Sequence, residues 1–425
     1  MRELSAREAA ALVGSRDSLG VPLGPGQPPA FLTALGERER FEDLQVFGAL
    51  LVAPYALFTR PGVRLRSGFF GPVERALAAA GHAIEFVPAD FRRFARVARE
   101  LAPRVMATAA TPPDAQGWCS LALHAGATVD ELRRCGRDPA RVLVVEALPR
   151  LPRTLGLPPQ HPHALHVSEI DVLVPSDRDP IELPESPPSE VERAIARHAA
   201  RFIPDGATLQ TGIGGVPDAI AMLLAEGPGG DYGVHSEMYT TGLMRLDRAG
   251  KVSNARKGIH PGLSIVTFAM GTRELYDWLG GPGRERVRFL PVDQVNDPAI
   301  ASRCNALVSI NGALAVDLFG QIAADALEGR EHSGIGGHED FVTGAAFSEG
   351  GRSLICLPST AQVRGARVSR IVAALAPGSC VTTPRHQVDV VVTEHGAAEL
   401  AGRSVRERRE ALRAVAHPDF RAALE

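Results

Sequence analysis

The chain has 425 residues, of which 45% are apolar and 22% charged, with a formal net charge of −3. This length exceeds one ordinary core and favours two domains of a soluble globular protein. The small net charge gives no reason to expect nucleic-acid or membrane binding. No apolar run approaches the roughly 18 residues of a membrane span, and the N-terminus predicts a short amphipathic helix instead of a secretory signal. We therefore expect a cytoplasmic protein.

The first half of the chain alternates apolar runs with helical patterns, which is typical of βαβ units in a parallel sheet. Helices are predicted at 71–81 and 128–136, the second with Thr128 as a candidate N-cap. The predicted strands are 63–69, 84–90, 104–110 and 141–148.

A polar stretch at 175–190 contains five prolines and several acids, which indicates a linker. We place the domain boundary within it. Residues 1–183 and 184–425 are therefore expected to form an N-terminal and a C-terminal domain.

The second half repeats the βαβ pattern and ends in a charged helical tail. Helices are predicted at 186–203 and 216–226. The predicted strands, most of them rich in β-branched residues, are 207–213, 264–270, 306–312, 353–358 and 388–394. The sequence therefore predicts an α/β protein of two open α/β domains with mostly parallel sheets.

The segment TGIGGVPDAI (211–220) joins a strand to a helix through a glycine-rich turn, and Pro217 suits the first helical turn. Gly212, Gly214 and Gly215 would let the backbone approach a phosphate, a pantetheine arm or a developing oxyanion. The alternative is an ordinary tight β–α turn, because neither G-x-G-x-x-G nor a Walker lysine is present.

The segment YGVHSEMYTTG (232–242) places Glu237 where a strand is expected to end. Ligands of open parallel sheets bind at such ends, so Glu237 is a candidate nucleophile or base. A structural anchor or a solvated carboxylate is the alternative.

Three other segments carry candidate polar residues. Lys257, one of two lysines, is either functional or an ordinary surface residue. Asn311 and Asp317 lie in an apolar run and need partners, which are either structural or a ligand. A second glycine-rich loop, HSGIGGHEDF (332–341), precedes an acidic pair.

Metal, redox and serine-hydrolase chemistry find no support in the pattern. The five cysteines form no C-x-x-C pair, which favours buried free thiols. Pro162 interrupts the run that contains His161, His163 and His166, so no metal site is predicted. No G-x-S-x-G elbow is present.

Taken together, these segments resemble the acetyl-CoA hydrolase/transferase family, most closely its 4-hydroxybutyrate CoA-transferase branch. The resemblance covers almost the whole chain and is densest from about residue 164 onward. The matching strings, in chain order, are HVSEID, LQTGIGGVPDA, GVHSEM, SNARKGIHPG, MGTRELYDWL, VDLFGQI, SGIGGHEDFVTGA, LPSTA, VTTPR, VVTEHG and AHPDF.

The resemblance implies the class I CoA-transferase fold, with the active site between two α/β domains, and a homodimer or larger oligomer. It implies that CoA or acyl-CoA is a substrate and that no prosthetic group is needed. Glu237 falls on the family's nucleophilic glutamate. The implied CoA contacts are Gly212, Ile213, Gly214, Gly215, Val216, Leu314 and Gly337.

The implied reaction moves CoA between acetyl-CoA and a small carboxylate through a glutamyl-CoA thioester, or hydrolyses the acyl-CoA through the same intermediate. We expect Glu237 to attack with an ordinary pKa near 4.3 and without a base. The amides of Gly215, Val216 and Gly337 are candidate oxyanion donors.

The chain departs from the family at three places. Glu146-Ala147-Leu148 replaces a Glu-Val-Asn string, and His338-Glu339 stands where relatives usually have Gln and an apolar residue. The residues after the glutamate string, 239–241, also differ. These departures leave the acid open among acetate, butyrate, 4-hydroxybutyrate, succinate and itaconate.

Overall fold

A computed structural model describes residues 1–424, in which strands and helices alternate. The strands are β1 Arg2–Glu3, β2 Arg16–Gly20, β3 Asp43–Gly48, β4 Val63–Ser67, β5 Ile84–Phe86, β6 Val105–Ala110, β7 Trp118–Ser120, β8 Val142–Ala147, β9 Ala164–His166, β10 Val172–Pro175, β11 Thr208–Thr211, β12 Gly233–Tyr239, β13 Ser264–Ala269, β14 Val287–Phe289, β15 Leu307–Asn311, β16 Ala315–Asp317, β17 Ile322–Ala323, β18 Ala326–Leu327, β19 Arg330–Glu331, β20 Arg352–Cys356, β21 Thr360–Val363, β22 Ala366–Ser369, β23 Ile371–Val372, β24 Val390–Thr393 and β25 Gly396–Glu399. The helices are α1 Ala6–Ala10, α2 Pro29–Gly36, α3 Pro72–Ala79, α4 Phe94–Leu101, α5 Val129–Arg137, α6 Glu190–Ala199, α7 Gly215–Glu226, α8 Thr241–Arg248, α9 Arg273–Gly280, α10 Val292–Val295, α11 Pro298–Ala301, α12 His338–Phe347 and α13 Val405–Val415.

The predicted elements occur where the apolar patterns place them. The predicted strand at 104–110 is β6, whose residues are all buried. The predicted helix at 71–81 is α3, which begins at a proline. The proline-rich stretch between β10 and α6 contains neither a helix nor a strand. Thr128 does precede α5, but its side chain makes no capping hydrogen bond.

The chain divides into two compact units. The first contains Met1–Pro184 and Ile265–Val295, and the second contains Glu185–Ser264 and the chain from Asn296 onward. The domain boundary at residue 183 remains a prediction. No local pattern in the sequence predicts that Ile265–Val295 belongs to the first unit.

The first unit contains an eight-stranded sheet in the order β1-β10-β8-β6-β2-β3-β4-β5, and all its pairs are parallel. Leu19 of β2, Val46 of β3 and Val144 of β8 belong to one of its apolar cores. Strands buried on both faces read as nearly continuous apolar runs, which is why the first-half pattern was informative.

Six strands of the second unit run in the order β12-β11-β15-β20-β24-β25, and only the last pair is antiparallel. A core that includes Ile355, Val391 and Leu412 covers one face of this sheet with α13. The predicted α/β class with mostly parallel sheets is confirmed. In the described part of the chain, no helix has the length and apolar character needed to cross a membrane.

The cysteines are free, as predicted, but their burial differs. Cys119, Cys135, Cys304 and Cys356 are buried, whereas Cys380 is exposed. The expectation of buried thiols is therefore wrong for Cys380, which lies outside the helices and strands shortly before the VTTPR string.

Candidate active site

The carboxyl ends of neighbouring strands in the second unit bring the glycine-rich turn and the candidate glutamate to one sheet edge. β11 pairs in parallel with both β12 and β15. The Ser236 hydroxyl on β12 donates to the Thr211 carbonyl at 3.1 Å and accepts from the Thr211 amide at 3.3 Å. Glu237 follows Ser236 directly, and Gly212 follows Thr211. Both residues therefore lie at the edge where parallel sheets bind ligands.

The loop after β11 presents an open backbone. Gly214 has a φ of +123°, a conformation that residues with a side chain rarely adopt. A Cβ atom on Gly212 or Gly214 would meet no atom within 4 Å, and Ile213 is 50% exposed. The loop therefore has free space beside it in which a ligand could contact the backbone.

The loop leads directly into the N-terminus of α7, which no side chain caps. Pro217 lies in its first turn, as predicted. The first amides of a helix have no partner within the helix and carry partial positive charge, so the Gly215 and Val216 amides are suited to an anion or oxyanion. A Cβ atom on Gly215 would lie 1.9 Å from Oε1 of Glu192, so a side chain at this position would displace the Glu192 carboxylate.

Glu237 meets the second glycine-rich loop. Nδ2 of Asn296 donates to Oε2 of Glu237 at 2.7 Å, and the Gly337 backbone also hydrogen-bonds the carboxylate. A Cβ atom on Gly337 would lie 2.3 Å from Oε2 of Glu237 and 2.4 Å from Nδ2 of Asn296. Glycine is therefore the residue that allows the N-terminus of α12 to approach the carboxylate this closely.

The surroundings of Glu237 change its acidity. Burial raises its pKa to about 7 against the lowering effect of the Asn296 hydrogen bond. The Asp340 carboxylate raises the pKa further, and the hydrogen bond from Gly337 lowers it. The expectation of an ordinary pKa near 4.3 is therefore wrong, because the side chain is largely withdrawn from water.

Leu314, the other implied CoA contact, lies between β15 and β16 and is half-buried. Its amide donates to the Ala323 carbonyl at 2.8 Å. A ligand would therefore contact its side chain or carbonyl. Of the implied CoA contacts, Gly337 touches Glu237, and the loop 212–216 starts beside Glu237. Leu314 instead lies in the connection after β15, the strand on the other side of β11.

The polar residues of the apolar run have structural partners. Nδ2 of Asn311 donates to Oγ of Ser309 at 2.7 Å and to Oε1 of Gln210 at 3.3 Å. Asp317 accepts from the amide and the side chain of Gln321. The structural alternative therefore accounts for both residues.

Two side chains of the histidine run near residue 163 also contact other groups of the protein. Nε2 of His163 lies 3.0 Å from the Ala122 carbonyl, and burial lowers the pKa of His163 to about 3. Nδ1 of His166 lies 2.8 Å from Oγ of Ser168. Within residues 1–424, no group of three or more His, Cys, Asp or Glu side chains could hold a metal ion.

Lys257 is fully buried, so its interpretation as an ordinary surface residue is wrong. Its Nζ donates to the Leu263 carbonyl at 2.7 Å. Burial lowers its pKa to about 7, partly opposed by Cys304. The lysine therefore holds the loop between α8 and β13, and burying its amine reduces the stability of the fold.

Sequence reasoning missed Asn296 and Asp340, which both act on the Glu237 carboxylate. Asn296 precedes Asp297, which caps the short helix α11, so the local pattern is that of a common helix start. Asp340 lies in the first turn of α12, where acidic residues are frequent. Neither position shows a local feature that separates it from ordinary helix chemistry.

The fold and the site together are those of a CoA-transferase: parallel α/β units, with a glutamate at a strand end between two glycine-rich helix starts. A family model described as "Acetyl-CoA hydrolase/transferase C-terminal domain" matches residues 271–425. The chain belongs to the acetyl-CoA hydrolase/transferase family of CoA-transferases, enzymes whose substrates are CoA thioesters.

Relatives along the whole chain support this assignment. A succinyl-CoA:cyclohexane-1-carboxylate CoA transferase of Geobacter metallireducens is 36% identical over 98% of this chain and 92% of its own. A 4-hydroxybutyrate coenzyme A transferase of Clostridium kluyveri is 38% identical over 84% of this chain and 80% of its own. The crystal structure of RipA from Yersinia pestis has a TM-score of 0.90 at 34% identity, covering 100% of this chain and 96% of RipA.

Replacing Lys257 by Met should stabilise the protein at neutral pH. The folded-state pKa of about 7 lies below the ordinary value of 10.5, so wild-type stability falls as the pH drops from about 10.5 to 7. We expect a gain on the order of 2–4 kcal/mol at pH 7 that disappears near pH 10.5. Urea unfolding at both pH values measures it, with Lys251→Met as the control because Lys251 is only partly buried. A variant that is less stable at both values would contradict the prediction.

Replacing Gly337 by Ala should abolish most CoA exchange while the protein stays folded. The added methyl group would overlap Oε2 of Glu237 and displace it from Asn296. We expect a loss of at least about a hundredfold in kcat, measured by acyl-CoA:carboxylate exchange. Gly312→Ala is the matched control, because its Cβ would meet only the Cys356 carbonyl at 3.9 Å. Equal activity of both variants would show that the contact at Gly337 is unimportant.

Proposed function

We propose that the protein transfers CoA between an acyl-CoA, with acetyl-CoA as the donor that the family implies, and a small carboxylate, through a thioester on Glu237. The observation that carries this proposal is the Glu237 carboxylate itself. It is held by Asn296 and Gly337 at the end of β12, beside the uncapped N-terminus of α7. The proposal includes a cytoplasmic homodimer, which rests on the sequence expectations alone.

The reaction begins when a Glu237 oxygen attacks the carbonyl carbon of the acyl-CoA thioester. The C–S bond breaks, which gives a mixed anhydride and the CoA thiolate. The thiolate then attacks the glutamyl carbonyl, and the donor acid leaves as a carboxylate. The acceptor carboxylate reverses both steps, so that the enzyme returns to its free state with ping-pong kinetics.

We infer different roles for the two carboxylate oxygens. Asn296 holds Oε2, and the Gly337 backbone hydrogen-bonds the carboxylate, so we assign the attack to Oε1. Oε2 then becomes the carbonyl oxygen of the anhydride and the thioester. When the thiolate attacks, negative charge develops on this oxygen, where the Asn296 donor is already in place.

The first glycine-rich loop supplies the complementary half of the site. Its free amides at Gly215 and Val216 are suited to the oxyanion that forms on the acyl carbonyl. The open backbone from Gly212 to Gly214 can take the pantetheine arm or phosphates of CoA. The side chain of Leu314 would add an apolar contact. These assignments follow the family pattern and remain proposals.

The raised pKa of Glu237 makes the nucleophile pH-dependent. At a pKa of about 7, only about half of the carboxylate is ionised at neutral pH. The ionised fraction is a stronger base, and therefore a better nucleophile, than an ordinary carboxylate. Burial thus lowers the fraction of active enzyme but raises the reactivity of that fraction.

Acyl-CoA hydrolysis is the second candidate, because the family includes hydrolases and water can attack the same thioester. The two activities differ in whether water is kept out of the site. Acetyl-CoA consumption should be measured with and without each of butyrate, 4-hydroxybutyrate, succinate and itaconate, and transfer to acetate should be followed as exchange of labelled acetate into acetyl-CoA. A transferase requires one of these acids, whereas consumption that no acid changes would favour the hydrolase.

Replacing Glu237 by Gln should abolish exchange while acyl-CoA still binds. The amide keeps the shape of the side chain but cannot form the anhydride. We expect kcat to fall at least about ten-thousandfold with acyl-CoA affinity within a few-fold of wild type. Wild-type enzyme incubated with acyl-CoA alone should give an adduct on Glu237 after borohydride reduction and peptide mass spectrometry. An adduct on a cysteine, or near-normal turnover of the variant, would refute the assignment.

The first half-reaction should accelerate with pH around the folded-state pKa of Glu237. Since only the carboxylate attacks, the rate should rise about tenfold per unit below pH 7 and level off above it. Stopped-flow measurement of CoA release between pH 5 and 9 gives the midpoint. Asp340→Asn removes a charge that raises this pKa, so its midpoint should move downward. Identical midpoints in both enzymes, or a flat profile, would contradict this account.

A further inference from the structure

The N-terminus of α12 needs an external restraint, because its position decides whether the site forms. Gly337 precedes the helix and must stay within a narrow distance of Glu237. No side chain caps the helix at Gly337. The residues that follow, His338 and Glu339, depart from the family string, and contacts of their side chains with the rest of the protein can supply this restraint.

Thr383 contacts both of these residues. Its Oγ1 lies 2.9 Å from Nε2 of His338 and donates a hydrogen bond to Oε1 of Glu339. A hydroxyl has one proton, so donation to Glu339 requires that His338 donates from Nε2. Burial lowers the pKa of His338 to about 4, which agrees with a neutral ring in this tautomer.

The backbone of Thr383 is fixed independently of its side chain. Its amide and carbonyl pair with Ile322 of β17. The next residue of β17, Ala323, accepts the hydrogen bond from the Leu314 amide. Thr383 is fully buried and therefore joins two places: the start of α12 beside Glu237, and the strand that holds Leu314.

We propose that Thr383 is a positioning residue, whose hydroxyl holds His338 and Glu339 so that the Gly337 amide stays on the Glu237 carboxylate. The kinetic part of this inference rests on the proposed function. The structural part does not, because the contact between Gly337 and Glu237 exists whatever the glutamate does.

The groups that face Glu237 determine what loss of this restraint would do. The Asn296 and Gly337 donors favour the charged carboxylate, and Asp340 disfavours it. If α12 shifts away from Glu237, the Gly337 donor and the Asp340 charge both weaken, because both belong to the start of this helix, while Asn296 remains. Asp340 has the larger effect of the two on the Glu237 pKa, so the carboxylate should then become easier to ionise.

Thr383→Val removes the hydroxyl and keeps the shape, and Thr383→Ser keeps the hydroxyl. The Glu237 pKa is read from infrared carboxyl titration as the difference between each enzyme and the same enzyme carrying Glu237→Gln. We expect the Val variant to lower this pKa by about half a unit or more, and to reduce kcat about tenfold with KM for acyl-CoA within about threefold. The Ser variant should stay close to wild type.

An unchanged Glu237 pKa in the Val variant, or equal impairment of the Val and Ser variants, would overturn the proposal. If the Val variant does not fold, His338→Phe removes the other donor of the link and should produce the same downward shift. Failure of the proposed function has a separate readout. Exchange by Glu237→Gln alone would refute the nucleophile, while the infrared shift would still test the role of Thr383.

Discussion

The approach of the Gly337 backbone to the Glu237 carboxylate is the constraint on which the site depends. It requires that β12 end beside the loop after β11 and that α12 begin at the same edge of the sheet. Parallel pairing meets the first requirement, because β11, β12 and β15 point their carboxyl ends the same way. The second requires glycine, since any side chain at residue 337 would occupy the position of the carboxylate oxygen.

Two opposing sets of interactions determine how easily Glu237 ionises. Withdrawal from water disfavours the charged glutamate, and Asp340 adds repulsion. The Asn296 and Gly337 donors recover part of this cost, and Asn296 does so at Oε2, where charge would develop in the proposed reaction. A fully solvated carboxylate would ionise more easily. Its hydrogen bonds would then come from mobile water, and no donor fixed in advance would stabilise the charge of the transition state.

The sequence predicts those features that depend on local patterns. Apolar runs indicate strands such as 104–110, because a strand buried on both faces needs apolar residues throughout. Gly212 to Val216 are recognisable because a strand–turn–helix junction has its own composition. The burial of Lys257, the raised pKa of Glu237 and the role of Asn296 are not local features. Each depends on chain segments far apart in sequence, so a single sequence contains no pattern that reveals it.

The departures from the family pattern acquire a physical meaning in the structure. Glu146 is fully buried and accepts hydrogen bonds from the Ala30 and Phe31 amides at the start of α2, so it caps a helix. Leu148 is 2% exposed, and an apolar side chain there avoids the partners that a buried amide would need. Thr240 likewise caps α8 through the Leu243 amide.

The polar groups of Glu146 and Thr240 are thus engaged in helix caps, and the Leu148 side chain has none. The groups that handle CoA lie at the strand ends around Glu237, where the family pattern is kept. Choice of the acid then depends on side chains whose polar atoms remain available to a substrate. That separation is physically reasonable, since the CoA steps are the same for every acid, whereas recognition of the acid can vary without disturbing the contact between Gly337 and Glu237.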